Sequence, residues 1–194
     1  SDNIPSGGYD ESSSIMYGWL WYPRGVGVNE LQNYWRPGQE GEQQRYVEEL
    51  WVNNPYLVAN ENTNAFQANR ILGNTKIKYH LTDRLNIRFR YGADYKDEQR
   101  QFRRATSTKA IPGQFGSYRE DEISFLETNT EALISYGSDK FDGSKFNYDI
   151  KVGGNIMRQE SRTLRANNAQ LLLPGNFTLN NNRTDIQVDN RKAE

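Results

Sequence analysis

RILGNTKIKYHLTDRLNIRFRYGADY, residues 70–95, decides the fold. On either side of Thr82-Asp83, one set of alternate positions carries no charge, and the other holds lysine, arginine, aspartate and the sole histidine, His80. A period of two is the mark of a β-strand whose faces meet different surroundings. Strand A, 70–81, puts Ile71, Gly73, Thr75, Ile77, Tyr79 and Leu81 on its bare face. Strand B, 84–96, answers with Leu85, Ile87, Phe89, Tyr91, Ala93 and Tyr95.

The pattern recurs downstream. Strand C, about 124–136, offers Leu126, Thr128, Thr130, Ala132, Ile134 and Tyr136. Strand D, 146–157, offers Phe146, Tyr148, Ile150, Val152, Gly154 and Ile156. None of these 24 positions is Asp, Glu, Lys, Arg or His, in a chain with 25 % Asp, Glu, Lys and Arg. The opposite face carries Lys76, Lys78, Arg88, Arg90, Asp94 and Lys96 on A and B, and Glu127 and Glu131 on C, so neighbouring strands can pair opposite charges. A joins B through a tight turn and C joins D through GSDKFDGSK (137–145), whereas 97–122 and the residues after D are long. Short, long, short, long is an up-and-down antiparallel meander with its long loops at one end.

Alternation alone fits two folds. In a soluble β-sandwich or small barrel, the bare face packs a core and the ionic face meets water. In an outer-membrane barrel, the bare face meets lipid and the ionic face a hydrated lumen. Length favours the second: eleven residues at ~3.3 Å rise and ~40° tilt reach roughly 28 Å, close to the ~25 Å apolar band of such barrels. Aromatics also favour it, because Tyr79, Tyr136, Phe146 and Tyr148 lie near the short turns, and Tyr91 and Tyr95 near the long loops. The mid-strand residues Gly73, Thr75, Thr128, Thr130 and Gly154 are poor material for a soluble core. The expected fold is therefore all-β, a segment of a large antiparallel transmembrane β-barrel with long extracellular loops. Ile77, Ile87, Phe89, Ile134, Ile150 and Val152 are expected to face lipid, and Lys76, Lys78, Arg88, Arg90, Glu127 and Glu131 the lumen.

Composition agrees and narrows function. Hydrophobic content is 35 %, yet aromatics reach 12 %, which suits a polar interior better than disorder. With 24 basic and 25 acidic residues, no nucleic-acid partner is expected. No cysteine and one histidine leave no thiolate metal site, disulfide or cysteine nucleophile, and no cofactor is expected. Glycosidase chemistry needs two carboxylates at a set separation. Glu120, Asp121, Glu127 and Glu131 need no such explanation if they line a lumen, and no enzyme activity is expected. His80 is read as hydrogen-bonded or solvated.

The flanking segments read as loops. Residues 1–69 carry a capping box at Asn29 and Gln32, starting a short helix near 29–35 that shows Leu31, Tyr34 and Trp35 on one face until Pro37-Gly38 stops it. QQRYVEELWV (43–52) has a faint helical pattern, and NNPYLVANENTN (53–64) reads as polar loop. Arg100, Arg103 and Arg104 are expected to pair with Glu120, Asp121 and Glu122 across the second long loop. Trp19, Trp21, Tyr22, Trp35, Tyr118 and Arg119 are the candidates for contacting a ligand or partner, aromatic stacking on a sugar being one use.

Several ordered stretches resemble one family. NPYLVANENTNAFQANRILGN (54–74), RYGADYKDEQRQFRRATST (90–108), GSYREDEISFLETN (116–129) and VGGNIMRQ (152–159) resemble the SusC/RagA family of TonB-dependent outer-membrane transporters, as do SIMYGWLWYPRGV (14–26) and LQNYW (31–35). The resemblance implies a 22-stranded barrel closed by a plug, in the outer membrane of a Gram-negative bacterium. It further implies a SusD-like surface lipoprotein as partner, TonB as energy source, and glycans or peptides as cargo. About four of those strands are expected here. The arrangement is loop 1–69, hairpin 70–96, loop 97–122, hairpin 123–157 and loop 158–194, with the plug, the TonB-contacting segment and the remaining strands absent. Ser1–Pro5 and Asn190–Glu194 both read as loop, as an internal segment requires. A soluble glycan-binding β-module using the same tryptophans is the alternative.

Overall fold

A computed structural model describes residues 15–46, 52–109, 114–137 and 148–193. Three short helices, α1 (Ile15–Leu20), α2 (Asn29–Gln32) and α3 (Pro55–Asn60), precede five strands. These are β1 (Asn64–His80), β2 (Leu85–Arg104), β3 (Ser117–Gly137), β4 (Asp149–Asn168) and β5 (Gln187–Ala193). They form one largely antiparallel sheet in the order β1-β2-β3-β4-β5, so every strand pairs with its sequence neighbour. The expected all-β meander is what forms. Contacts divide the chain into a sheet unit (68–97, 123–162 and 192–194) and a loop unit (1–67, 98–122 and 163–191).

In the sheet unit, the tight turn between β1 and β2 lies where the sequence placed it. The Leu81 amide donates to the Leu85 carbonyl at 2.9 Å, and the Thr82 hydroxyl accepts from the Leu85 amide at 3.0 Å. Glycine has a steric role between β3 and β4: a Cβ on Gly153 would lie 2.6 Å from the Ala132 carbonyl oxygen and 2.7 Å from Leu133 Cδ1. Phe146, Asn147 and most of the connection 137–145 lie outside the described residues, as do 47–51 within QQRYVEELWV.

The strands run well past the expected ends. β1 begins at Asn64 instead of residue 70, β2 continues to Arg104 through the supposed loop, β3 starts at Ser117, and β4 extends to Asn168. β5 lies wholly inside the segment read as a terminal loop. The extensions DEQRQFRR (97–104) and SYREDE (117–122) are polar on both faces, so they carry no hydrophobic period. Ladder hydrogen bonds need only backbone, and charge pairs such as Arg165 with Asp121 (3.1 Å) hold the strands where apolar side chains do not.

In the loop unit, two further readings are corrected. NNPYLVANENTN contains α3, because Asn54 caps it by accepting from the Tyr56 amide at 2.9 Å and Pro55 opens it with φ already suited to a helix. Leu57 and Val58 are then completely buried. The capping box at Asn29 does not form: Val28 is the N-cap, without a side-chain bond, and α2 ends at Gln32. Trp35 instead bridges Gln44 across a turned-back segment, in which the Arg36 amide donates to Gln43 at 3.0 Å and Gly38 takes φ +78°.

Much of the loop unit's interior is amide. Gln44, Asn53, Asn54 and Asn62 are at most 1 % exposed. Asn54 Nδ2 donates to the carbonyls of Leu31 (3.1 Å) and Arg45 (2.9 Å), and Asn53 Oδ1 accepts from Gln44 Nε2 (2.9 Å) and the Lys109 amide (2.7 Å). Asn62 Oδ1 accepts from the Ala105 amide at 2.8 Å and the Thr108 hydroxyl at 3.1 Å. Buried polar groups need such partners, and these amides tie segments 31–46, 52–63 and 105–109 together. Asn181 does the same for the segment after β4, bonding Leu173 through both backbone groups at 2.9 and 2.7 Å.

Candidate functional site

The sheet unit carries two contrasting surfaces. Pleating sends alternate residues to opposite faces, so even positions on β1 and β2 share a face with odd positions on β3 and β4. Contacts fix that register. Arg70 on β1 forms a two-point pair with Asp94 on β2, with Nε to Oδ1 at 2.9 Å. Arg88 and Arg90 on β2 both reach Glu131 on β3, Arg88 at 2.9 Å. Glu127 on β3 accepts from Gln159 Nε2 on β4 at 2.7 Å. All six residues expected to face a lumen, Lys76, Lys78, Arg88, Arg90, Glu127 and Glu131, lie on this one face.

Two open hollows mark the polar face. One of about 320 Å³ is lined by Asn74, Arg90, Gly92, Asn129 and Asn155, drawing on all four long strands. The other, about 430 Å³, lies nearer the tight turn and includes Lys76, Lys78, Arg88, Asp149 and Lys151. Lys151 is itself paired with Asp149. Side chains on this face shelter one another: Glu131 and Asp94 are only 19 % and 20 % exposed at the side chain.

The other face is apolar and open. Ile77, Ile87, Phe89, Ile134, Ile150 and Val152 share it, with exposures from 37 % at Ile87 to 68 % at Val152. Tyr136 and Tyr148 pack ring to ring on it at 5.9 Å. Along the end of β3 the contrast is residue by residue: Ala132, Ile134 and Tyr136 are exposed, whereas Glu131, Leu133 and Ser135 are half-buried. On β1 from Phe66 and on β4 up to Glu160 both faces are exposed, so this contrast belongs to the end of β3.

The loop unit separates the remaining candidates. Trp21 is 56 % exposed and offers a ring to a partner. Trp19 and Tyr22 instead pack against the cluster of Leu31, Tyr46 and Val52, and Trp35 lies 5.6 Å from the Tyr34 ring. Tyr118 is buried at 4 % exposure with its hydroxyl donating to Glu120, so it holds the fold and does not present itself to a ligand. Burial, with that bond second, pushes its hydroxyl up to about 12. Arg119 places its guanidinium carbon over the Phe102 ring, 3.8 Å from the centroid, and contacts Asp121 at 3.2 Å. Burial holds its guanidinium below the ordinary arginine range.

The arginine network of the second loop forms with different partners from those expected. Asp121, 2 % exposed, takes Arg119 and Arg165, while Arg100 pairs with Glu98 two residues away on its own strand. Arg103 stacks on Phe177, and Arg104 donates to Asn64 at 3.1 Å. Arg165 comes from a segment the sequence left as loop, which is why its role was invisible there. His80 is exposed at the end of β1. Among the described residues, no group of three or more His, Cys, Asp or Glu is arranged to hold a metal ion, and no helix is long and apolar enough to cross a membrane. No family model matches the chain, and no curated protein is significantly similar to it.

Proposed function

We propose that this chain is a run of wall strands from a SusC-like, TonB-dependent outer-membrane importer, which takes up glycans or peptides together with a SusD-like lipoprotein. One observation supports the reading: the sheet's apolar face lies uncovered among the described residues, while the charges of the other face are drawn into cross-strand ion pairs. In hydrocarbon this is the favourable arrangement, since Arg or Lys on a lipid face costs ~2–4 kcal/mol at the midplane, while a hydrated lumen takes charge readily. The polar hollows then line the passage, and Trp21 belongs to a loop that meets cargo or the lipoprotein. Four or five strands leave open edges, and a bilayer offers no partner for unpaired backbone groups, so further strands of the same protein complete the wall.

The test is the intact mass and solubility of the native protein containing this segment. Extraction from outer membranes only with detergent, at a mass several times 22.5 kDa and with a lipoprotein co-purifying, is the expected result. A water-soluble species near 22.5 kDa overturns it and makes the glycan-binding module the better reading.

A further inference from the structure

Within the loop unit, at the polar ends of the strands, cations outnumber carboxylates. Arg119 over Phe102 and the pair of Arg165 with Asp121 put even residues of β2 and odd residues of β3 and β4 on one face there. Over residues 98–104, 117–122 and 163–167 that face carries Arg100, Arg104, Arg119 and Arg165 but only Glu98 and Asp121, a surplus of two positive charges. Both carboxylates are buried and taken, Glu98 by Arg100, and Asp121 by Arg119 and Arg165. Among the described residues Arg104 meets no carboxylate, its Nη1 donating to Asn64 Oδ1 and to the Arg103 carbonyl. Arg119 Nε is sealed from solvent and makes no hydrogen bond, although it lies 3.2 Å from Asp121 Oδ1. Burial, and then the charge of Arg119, hold the Arg104 guanidinium below the ordinary arginine range, so a negative charge brought to the two is favoured.

We infer that Arg104 and Arg119 bind a carboxylate of an acidic peptide cargo. β2 and β3 are flanked on both sides, by β1 and β4, so neither arginine awaits a neighbouring strand. Both are held in place, Arg119 by the Phe102 ring and Arg104 by its two neutral acceptors, and both are half-buried and within reach of solvent. A planar guanidinium offers a carboxylate two parallel hydrogen bonds, a match no neutral group supplies. A peptide is favoured over an acidic sugar, because sugar rings stack on bare aromatic faces. The two rings on this face, Phe66 and Phe102, already lie under Arg100 and Arg119. The inference rests on the importer reading and narrows its cargo.

Phenylglyoxal condenses with accessible guanidinium groups, and its adducts are mapped by mass spectrometry. On the full-length protein in detergent, an oligopeptide rich in Asp and Glu is expected to slow modification of Arg104 and Arg119 about tenfold or more, as charge-assisted hydrogen bonds imply. The same peptide with Asn and Gln in their place should protect neither, and Arg24, exposed in the loop unit, should react equally throughout. Arg104→Gln should weaken binding of the acidic peptide about tenfold and leave that of the neutral peptide unchanged, with Arg104→Lys recovering part of the loss. The footprint is read on the unaltered protein and does not depend on either variant folding. Equal protection by both peptides, or by neither, overturns the inference. Protection by oligogalacturonate alone overturns it in favour of an acidic glycan. Failure of both arginines to react before any peptide is added also overturns it, since another part of the protein then covers them. Heat-modifiability of the same sample reads the barrel independently: a folded barrel without protection sinks this inference alone, and protection without a barrel sinks the importer reading alone.

Discussion

Phe89→Arg set beside Arg90→Ala asks which face meets hydrocarbon, using two adjacent residues of β2. Phe89 is 42 % exposed on the open apolar face. It lies four residues from Leu85, the start of the strand. At ~3.3 Å rise and ~40° tilt this is roughly 10 Å into the ~25 Å apolar band, close to its middle. An arginine there costs ~2–4 kcal/mol. Arg90 shares Glu131 with Arg88, and its removal leaves the 2.9 Å Arg88 contact in place. Losing one exposed member of such a pair costs about 0–1 kcal/mol. The two variants should therefore differ by about 2 kcal/mol, roughly 30-fold in folded over unfolded barrel. Ile87→Arg, roughly 5 Å in, should fall between them because the penalty shrinks towards the interface. The folded fraction of the full-length protein, read as the heat-modifiable band on a gel, measures all three. If the apolar face met water instead, Phe89→Arg would be worth no more than about 0.5 kcal/mol. Equal folded fractions for Phe89→Arg and Arg90→Ala would refute the assignment of faces, and an Ile87→Arg defect larger than that of Phe89→Arg would refute the depth.

The loop unit yields three more expectations. Asn54→Ala strips the Leu31 and Arg45 carbonyls and the Tyr56 amide of buried partners, at about 1–3 kcal/mol each, so limited proteolysis within residues 31–46 should speed up more than tenfold. Gly116→Ala forces an alanine to φ +80° with its Cβ 2.7 Å from the Arg104 carbonyl, costing about 1–2 kcal/mol for the backbone alone. Hydrogen exchange at the Leu171 amide, which donates to the Gly116 carbonyl at 3.3 Å, should accelerate about tenfold or more, and unchanged protection would count against the contact. The raised Tyr118 hydroxyl means the folded chain keeps a proton that the unfolded chain gives up above its ordinary value of 10, so its contribution is full below pH 10 and lost between pH 10 and about 12. Tyr34, pushed up to about 12 by burial and Glu61, acts in the same window, so Tyr118→Phe should flatten the alkaline fall in stability without abolishing it.

The faces of the sheet were legible because the information is local. A strand exposes alternate residues to opposite sides whatever its partners, so the charge-free set from Ile71 to Ile156 could be sorted by parity alone. Asn54-Pro55 was also a local signal, an N-cap followed by a first-turn proline, and α3 was recoverable from it. The Asn29 capping box shows the opposite failure, a correct spacing whose side chain makes no bond.

What the sequence determined by itself was the two-faced meander, set by period and turn chemistry that neighbouring residues share. Only the tertiary structure decided that no described residue covers the apolar face, since alternation is identical for a buried and an uncovered face. It alone decided that β2 continues to Arg104 and that β5 exists, because a polar strand is held by ladder bonds and charge pairs from distant segments. It also turned asparagines that read as loop into the buried framework joining residues 31, 45, 53 and 109. An amide gives no sign in sequence of whether water or a remote carbonyl will satisfy it, and long-range folding makes that choice.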